Sequence, residues 1–252
     1  MKRIILILTF ILSASVAHAQ DSLRLVTYNL RFGELASMND IGKALVQINP
    51  DIVFLQECDW GTYRKRAPKQ NGVKFINVLA NETGLFGLYG KSINYMGGYY
   101  GIGILGRYPI ISSQRILLPN DGKTEQRSAL VAEVELPSGK IITLVCTHLE
   151  VKSSDMRIAQ VKYLNKILKS YDTIIMGGDM NAEPESEEMR ILRKTWKDLT
   201  NSEFTFSTSE PSMKIDYIYA RPVSKVNLIS TSIVKNVILS DHFAVKSDII
   251  LY

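Results

Sequence analysis

Several apolar segments of the chain run directly into a polar residue that could bind a metal ion or a phosphate. Carboxylates, amides and imidazoles are costly to bury, so their position at the ends of apolar segments indicates a chemical role. These residues are Asn29, Glu57, His148, Asp179, Asn181, Asp216, Asp241 and His242. Their types suit the hydrolysis of a phosphate ester, which needs an activated water, neutralisation of charge and a donor for the leaving oxygen.

Three of these residues offer the hard oxygen ligands that Mg²⁺ prefers. Glu57 and Asp241 supply carboxylates, and Asn29 supplies an amide oxygen. Magnesium needs only one or two protein carboxylates beside a substrate phosphate, and Mn²⁺ accepts the same ligands. The neutral amide adds no charge that would repel an anionic phosphate. The alternative is structural, with Asn29 capping a turn and Glu57 solvated at the end of a strand.

The histidines also favour a function. The chain has three, of which His18 lies in the N-terminal segment described below. His148 and His242 lie at strand edges beside hydroxyl or carboxylate residues. A single buried histidine is more often structural, but the pair, together with Asp179, indicates acid–base or hydrogen-bond catalysis.

Short apolar segments between turns predict the elements that position these residues. Strands are predicted for residues 23–29, 51–57, 97–106, 129–136, 140–148, 173–179, 215–220, 226–234 and 243–251. Helical spacing of apolar residues predicts helices over 40–48, 155–169 and 185–192. Residues 61–72 are basic and polar and predict a loop. We therefore expect an α/β fold in which two sheets pack face to face and helices cover them.

The N-terminal segment has the pattern of a secretory signal peptide. Lys2 and Arg3 precede an apolar run from Ile4 to Leu12, and small residues follow as far as Ala19. This pattern predicts a signal peptide over residues 1–19, cleaved near Ala19, and a single domain over residues 20–252. We expect an exported protein, periplasmic or secreted, with no stable membrane span.

Composition narrows the class further. The chain has 252 residues, 46% apolar and 22% charged, which excludes a disordered tail, a collagen-like fibre and a disulfide-dense miniprotein. Without Lys2 and Arg3, the 28 basic and 25 acidic residues give a net charge of +3, far from that of a dedicated nucleic-acid-binding protein. Export would permit a disulfide between Cys58 and Cys146. Strand alternation, which points Cys58 away from the side of Glu57, favours two free thiols instead.

Six segments carry a resemblance to a known family. They are TYNLR at 27–31, LQE at 55–57, THLE at 147–150, GDMN at 178–181, IDYIY at 215–219 and SDHFAV at 240–245. In this order and at these spacings they resemble the endonuclease/exonuclease/phosphatase superfamily. The segments YYGIGILGRYPI at 99–110 and EQRSAL at 125–130 also resemble its secreted bacterial members. The resemblance implies the deoxyribonuclease I-like fold, a four-layer α/β sandwich of two mixed β-sheets flanked by helices.

The resemblance also implies a metal site. Asn29 and Glu57 match the metal-binding asparagine and glutamate of the family, and Asp241 matches an aspartate near the metal or its waters. Mg²⁺ is the expected ion, with Mn²⁺ as an alternative. One position departs from the pattern, because many secreted relatives have an asparagine where this chain has Ile102. The departure leaves the substrate open and does not change the expected reaction.

The remaining matches imply catalytic roles. His148 and His242 match the two active-site histidines, and Asp216 matches the carboxylate that orients the second. Asp179 and Asn181 match the pair that positions the attacking water and contacts the scissile phosphate. Asp179, His148 and His242 are all candidates for the base.

Two arginines are candidates for binding the substrate phosphate. Arg31 would share a strand face with Asn29 if that strand continued, and Arg127 precedes a predicted strand. The cluster Arg64–Arg66 could attract a polyanion, and Tyr95, Tyr99 and Tyr100 could stack on a base or a sugar. A solvated loop and tyrosines packed beneath it are the alternatives.

We therefore expect an exported, metal-dependent phosphoesterase that hydrolyses phosphodiester bonds in the manner of a nuclease. The expected partner is a phosphate-ester substrate, with nucleic acid as one class. An alternative is a lipid or sugar-phosphate phosphodiesterase or phosphatase on the same fold, similar to sphingomyelinases or inositol phosphatases. A non-catalytic binding domain is a third alternative. No particular oligomeric state is predicted.

Overall fold

The computed structural model describes residues 20–236 and 238–252, which form twelve strands and four α-helices. The predicted signal peptide lies outside the described residues. The strands are β1 (Asp21–Asn29), β2 (Ile52–Trp60), β3 (Phe86–Tyr95), β4 (Gly98–Gly106), β5 (Ile110–Leu117), β6 (Ser128–Glu135), β7 (Ile141–His148), β8 (Ile174–Asp179), β9 (Lys197–Asp198), β10 (Asp216–Arg221), β11 (Val226–Val234) and β12 (Ala244–Leu251). The helices are α1 (Met38–Ile48), α2 (Phe75–Thr83), α3 (Ser154–Ile167) and α4 (Glu187–Arg193).

The strands form two six-stranded sheets. The order in the first sheet is β11-β12-β1-β2-β4-β3, and the order in the second is β5-β6-β7-β8-β10-β9. At the centre of the first sheet β1 runs parallel to β2 and antiparallel to β12. In the second sheet β7 runs parallel to β8 and antiparallel to β6. Both sheets are therefore mixed, as the sequence predicts.

The two sheets pack face to face and the helices cover their outer faces. Side chains from both sheets, such as Phe54 and Leu144, share one buried cluster between them. A second cluster joins the first sheet to α1 and α2 through residues such as Leu45, and a third joins the second sheet to α3 and α4 through residues such as Leu164. This is the predicted four-layer α/β sandwich, and burial of these apolar faces is its main stabilisation.

Local signals explain the ends of α1. The Ser37 side chain accepts a hydrogen bond from the backbone N–H of Asp40, so the helix begins two residues earlier than predicted. Asn49 adopts a left-handed conformation that ends it, and Pro50 follows. Residues 61–72 contain no strand or α-helix, which confirms the predicted loop. No helix among the described residues is both long enough and apolar enough to cross a membrane.

Four elements, α2, β3, β5 and the two-residue β9, have no counterpart in the sequence-based prediction. No side chain caps the N-terminus of α2, so the usual starting signal is missing. β3 and β5 form the outer edges of the two sheets, and most of their residues are exposed or half-buried. Edge strands of this kind lack the continuous apolar run that identifies a buried strand.

Candidate active site

The ends of central strands from both sheets meet in one cleft. Asn29 ends β1, while His148 and Asp179 end the parallel strands β7 and β8. The Asn29 side chain joins the two sheets, because its Nδ2 donates to Oδ2 of Asp179 at 3.0 Å. Parallel neighbours place their carboxyl ends at the same edge of a sheet, which explains why residues far apart in sequence converge here.

His242 is held between two aspartates. Its Nδ1 lies 2.9 Å from Oδ2 of Asp216, and its Nε2 lies 3.7 Å from Oδ2 of Asp179. Burial disfavours the charged imidazole, but the carboxylates of Asp216, Asp179 and Asp241 outweigh it and raise the pKa of His242 to about 10. His242 is therefore an imidazolium at neutral pH, with Nε2–H directed towards Asp179.

His148 is in the opposite state. Its Nε2 lies 3.5 Å from Oδ2 of Asp179, and its Nδ1 lies 3.1 Å from Nη1 of Arg127. Burial and the charges of Arg127 and His242 hold the pKa of His148 well below its ordinary value. Because a guanidinium can only donate, Nδ1 must accept and the ring proton must lie on Nε2. His148 is thus a neutral donor that faces Asp179.

Asp179 lies at the centre of this arrangement. Its carboxylate is 1% exposed and accepts from the backbone N–H of Asn181 at 2.9 Å as well as from Asn29. Burial and the charge of Asp216 raise the pKa of Asp179 to about 7, although His242 and these hydrogen bonds oppose the shift. Asn181 has a φ of +48° and donates its Nδ2 to the carbonyl of Leu149 at 3.0 Å.

Glu57 enters the cleft because β2 contains a β-bulge. The register of β2 on β4 shifts between Leu55 and Cys58, and Glu57 has a φ of +58°. Leu55 and Cys58 both pack into the cluster beneath α1 and α2, which regular alternation would not allow for residues three apart. The bulge turns the carboxylate towards Asn29, whose Nδ2 lies 3.4 Å from Oε1. Burial raises the pKa of Glu57.

The other two residues of the predicted metal set have partners of their own. The amide oxygen of Asn29 accepts from the backbone N–H of Arg31 at 2.9 Å. Oδ2 of Asp241 accepts from Nη1 of Arg31 at 2.6 Å. The negative charge of Asp241 is therefore balanced by an arginine at the rim of the cleft.

Among the described residues, Asp179, Asp216 and His242 offer ligand atoms that all lie within 4.8 Å of one another and could hold a metal ion. Oδ1 of Asp216 is buried and has no hydrogen-bond partner. An oxygen left in this state favours a cationic or protonated neighbour. The cleft thus contains enough carboxylate oxygen to suit a hard divalent cation.

The structure places the two predicted phosphate-binding arginines differently. Strand β1 ends at Asn29 and Arg31 has a φ of +45°, so the premise that Arg31 continues the strand face is wrong. Its side chain nevertheless lies at the cleft, bonded to Asp241. Arg127 is 6% exposed and bonds His148, and its Nη1 also lies 3.0 Å from Oε1 of Glu125.

Other predictions concern residues around the cleft. Cys58 and Cys146 are free and buried, so the predicted alternative of two thiols is correct. Ile102 packs in the core between the sheets. The guanidinium of Arg64 is bonded to Asp59 at 2.6 Å, and the ring of Tyr95 lies 4.3 Å from it.

Three residues that support the site were not singled out from the sequence. Ser240 Oγ donates to the carbonyl of Asn29 at 2.7 Å and so ties the loop before β12 to β1. Glu150 is 1% exposed, and its Oε2 lies 3.9 Å from Nε of Arg127. The ring of Phe206 packs 4.8 Å from that of His242. Ser240 and Glu150 lie within the SDHFAV and THLE segments, whereas Phe206 has no sequence signal.

Comparison with known proteins gives a consistent result. Residues 26–242 match the model of the Endonuclease/Exonuclease/phosphatase family. Inositol phosphosphingolipids phospholipase C of Schizosaccharomyces pombe is 25% identical over 172 residues, which are 60% of this chain but only 38% of that protein. The uncharacterized protein YbhP of Escherichia coli K12 is 24% identical over 222 residues, which cover 81% of this chain and 87% of that one. The crystal structure of an endonuclease/exonuclease/phosphatase from Bacteroides vulgatus superposes with a TM-score of 0.73 at 19% identity, covering 92% of this chain and 100% of that one.

Proposed function

Because the chain belongs to the endonuclease/exonuclease/phosphatase family and is a hydrolase that acts on phosphate esters, we propose that it is a metal-dependent phosphodiesterase of nuclease type. One observation carries the proposal. A single buried carboxylate, Asp179, lies 3.5 Å from Nε2 of neutral His148 and 3.7 Å from Nε2 of charged His242. A base and two donors with different charges therefore surround one point of the cleft, which is the arrangement that in-line attack of water on phosphorus needs.

Each side chain then has a distinct task. Asp179 orients the attacking water and accepts its proton as the new oxygen–phosphorus bond forms. His148 and Asn181 donate hydrogen bonds to non-bridging oxygens, on which negative charge accumulates. His242, held by Asp216, gives its Nε2 proton to the leaving oxygen as the old bond breaks. The cleft regains its starting state when a proton passes from Asp179 back to His242.

We assign the divalent cation to Glu57, Asn29 and Asp241, with Mg²⁺ as the ion and Mn²⁺ as the alternative. Among the described residues, the Glu57 carboxylate accepts one hydrogen bond from a side chain, at 3.4 Å from Nδ2 of Asn29, and takes part in no ion pair. His242 is the weaker candidate, because Nδ1 is bonded to Asp216 and an imidazolium has no free lone pair. When bound, the cation would neutralise phosphate charge and polarise the phosphoryl group.

A second candidate function is hydrolysis of a lipid or sugar phosphodiester. The similarity to inositol phosphosphingolipids phospholipase C favours it. It uses the same residues and differs in the group attached to phosphorus. A panel of plasmid DNA, RNA, sphingomyelin, phosphoinositides and bis-p-nitrophenyl phosphate, each with Mg²⁺ or EDTA, distinguishes the two.

The test of the proposed chemistry is Asp179→Asn, which keeps the shape of the side chain and removes the base. We expect kcat on bis-p-nitrophenyl phosphate to fall by about two to four powers of ten. Asp248→Asn is the matched control, because Asp248 pairs with Arg24 on β1 and β12 and is not part of the cleft. Near-normal turnover by the Asp179 variant would refute the assignment of the base.

We further propose that the protein is exported after cleavage near Ala19. The basic start and short apolar run of the first nineteen residues support this proposal. Expression of the full chain followed by fractionation and N-terminal sequencing tests it. A mature protein that begins near Gln20 outside the cytoplasm is expected, and an uncleaved cytoplasmic product would contradict the proposal.

A further inference from the structure

A groove lined by aromatic and basic residues lies where the outer edges of the two sheets meet. Trp60, Tyr89, Lys91, Tyr99 and Arg115 line this edge groove, which has a volume of about 510 Å³. Lys91 belongs to β3 and Arg115 to β5, the edge strands of the first and second sheets. Nη1 of Arg115 donates to the carbonyl of Lys91 at 3.0 Å, so the groove bridges the two sheets.

The positive charge of the edge groove has no acidic partner in the part of the chain that the structure describes. Neither Lys91 nor Arg115 takes part in an ion pair there, and none of the five lining residues is acidic. The two arginines of the 61–72 segment differ, because Arg64 pairs with Asp59 and Arg66 with Glu34. The edge groove is therefore the better site for an anion.

Aromatic rings in the groove pack against each other and against a lysine. The rings of Trp60 and Tyr89 lie 5.0 Å apart at 31°, and Nζ of Lys91 lies 4.8 Å from the ring of Tyr99. Tyr99 is 42% exposed, so part of its ring is open to a ligand. The hydroxyl of Tyr89 is buried and has no hydrogen-bond partner, which leaves a polar group for a ligand or a water to satisfy.

Residues of the edge groove are close in the chain to residues of the catalytic cleft. Trp60 follows Glu57 by three residues on β2, a rise of about 10 Å along a strand. On the other side, Ser92 and Ser128 join the two sheets through a 2.7 Å hydrogen bond between their hydroxyls. Ser92 follows Lys91, and Ser128 follows Arg127, whose guanidinium contacts His148. A polymer cleaved in the cleft would therefore pass beside the groove.

We propose that the edge groove binds nucleotides next to the scissile phosphodiester of a single-stranded nucleic acid. Bases would stack on Trp60 and Tyr99, and backbone phosphates would pair with Lys91 and Arg115. Stacking platforms beside unpaired basic residues are the usual means of binding single strands without sequence preference. A membrane surface fits less well, because the rings of Trp60 and Tyr89 pack on one another and do not project from the surface. The inference rests on the proposed function and names its substrate class.

Binding can be measured without turnover. The chain has two tryptophans, and Trp196 is 2% exposed, so quenching of fluorescence by a ligand in the groove reports on Trp60. Titration of a single-stranded oligonucleotide in EDTA should quench the wild type and the Trp196→Phe variant. The Trp60→Phe variant should lose the quench. Quenching that survives Trp60→Phe would place the oligonucleotide elsewhere and overturn the proposal.

The contribution of the two positive charges to affinity is tested with Lys91→Ala/Arg115→Ala. Loss of two phosphate contacts should weaken oligonucleotide binding by about tenfold and reduce the slope of log K against log salt by about 1.4. Lys162→Ala/Lys166→Ala removes the same charge from the exposed side of α3 on the second sheet and should change neither quantity. Equal effects in the two double variants would show that only net charge matters, which overturns the proposed site.

Turnover separates failure of this inference from failure of the proposed function. The ratio of KM for a single-stranded oligonucleotide to KM for bis-p-nitrophenyl phosphate should rise about tenfold in Lys91→Ala/Arg115→Ala. If the wild type hydrolyses neither compound with Mg²⁺ or Mn²⁺, the proposed function fails. A different result would refute only the groove. In that case the wild type hydrolyses the small diester, vesicles of anionic phospholipid quench the fluorescence of Trp60, and oligonucleotides do not. The proposed function would then stand, and the assignment of the groove to nucleic acid would be refuted.

Discussion

Replacement of Arg127 by methionine should distinguish two roles for this arginine, binding of the substrate phosphate and positioning of His148. Its Nη1 lies 3.1 Å from Nδ1 of His148, and the side chain is 6% exposed. This contact leaves the ring proton on Nε2, which faces Asp179 at 3.5 Å. Methionine replaces the apolar stem of arginine but has no guanidinium and donates no hydrogen bond, so the constraint on the tautomer and orientation of the ring is lost.

The size of the effect follows from the contact that is removed. A hydrogen bond from a charged donor contributes about 1.5–3 kcal/mol, so the productive arrangement of His148, and with it kcat, should fall by about 10- to 150-fold. If Arg127 acts only through His148, KM should change by less than about threefold. Glu150 also loses its nearby cation, so the free energy of unfolding should decrease. Kinetics are therefore compared at a temperature at which circular dichroism shows both proteins folded.

Two measurements are combined. Steady-state kinetics on bis-p-nitrophenyl phosphate give kcat and KM separately, and ¹⁵N NMR of the imidazole nitrogens identifies the tautomer of His148. Arg107→Met is the matched control, because Arg107 forms an exposed ion pair with Asp51 and should leave both readouts unchanged. An increase in KM at constant kcat, with His148 still protonated on Nε2, would show that Arg127 binds substrate and would refute the positioning role.

Three further results are expected. Saturating MgCl₂ should raise the melting temperature of the wild type, and the Glu57→Gln variant should lose most of this increase. An equal increase in the wild type and the variant would show that the ion binds to other residues. Gly177→Ala should lower the free energy of unfolding by about 1–3 kcal/mol, because the added Cβ would meet the ring of Phe54 between the sheets; an unchanged urea midpoint would contradict this packing. Burial raises the pKa of Cys146 to about 12 and that of Cys58 well above its ordinary value, so mass spectrometry should detect alkylation of neither thiol until denaturant is added.

The sequence predicts the cleft because its strands are short apolar runs with polar residues at their ends. Asn29, His148 and Asp179 each end such a run. Parallel pairing of β7 and β8 brings His148 and Asp179 together, and the packing of the two sheets brings Asn29 to them. The face-to-face packing follows from the same runs, since each must bury an apolar face. The positions that support the histidines are harder to predict. Arg127 meets His148 across neighbouring strands, and Phe206 reaches His242 from a loop, so only the tertiary structure identifies these partners.

The sequence pattern also does not predict the backbone conformation at Glu57, Asn181 and Arg31. All three have positive φ, which asparagine tolerates but which costs most L-residues about 1–2 kcal/mol, and all three place a side chain in the cleft or at its rim. A strand that kept regular alternation at Glu57 would turn the carboxylate towards the helices, away from Asn29. Such strain persists only where surrounding contacts over-determine it. Because local propensity disfavours this conformation at Glu57 and Arg31, prediction from sequence pattern fails first at the positions where the cleft needs an irregular backbone.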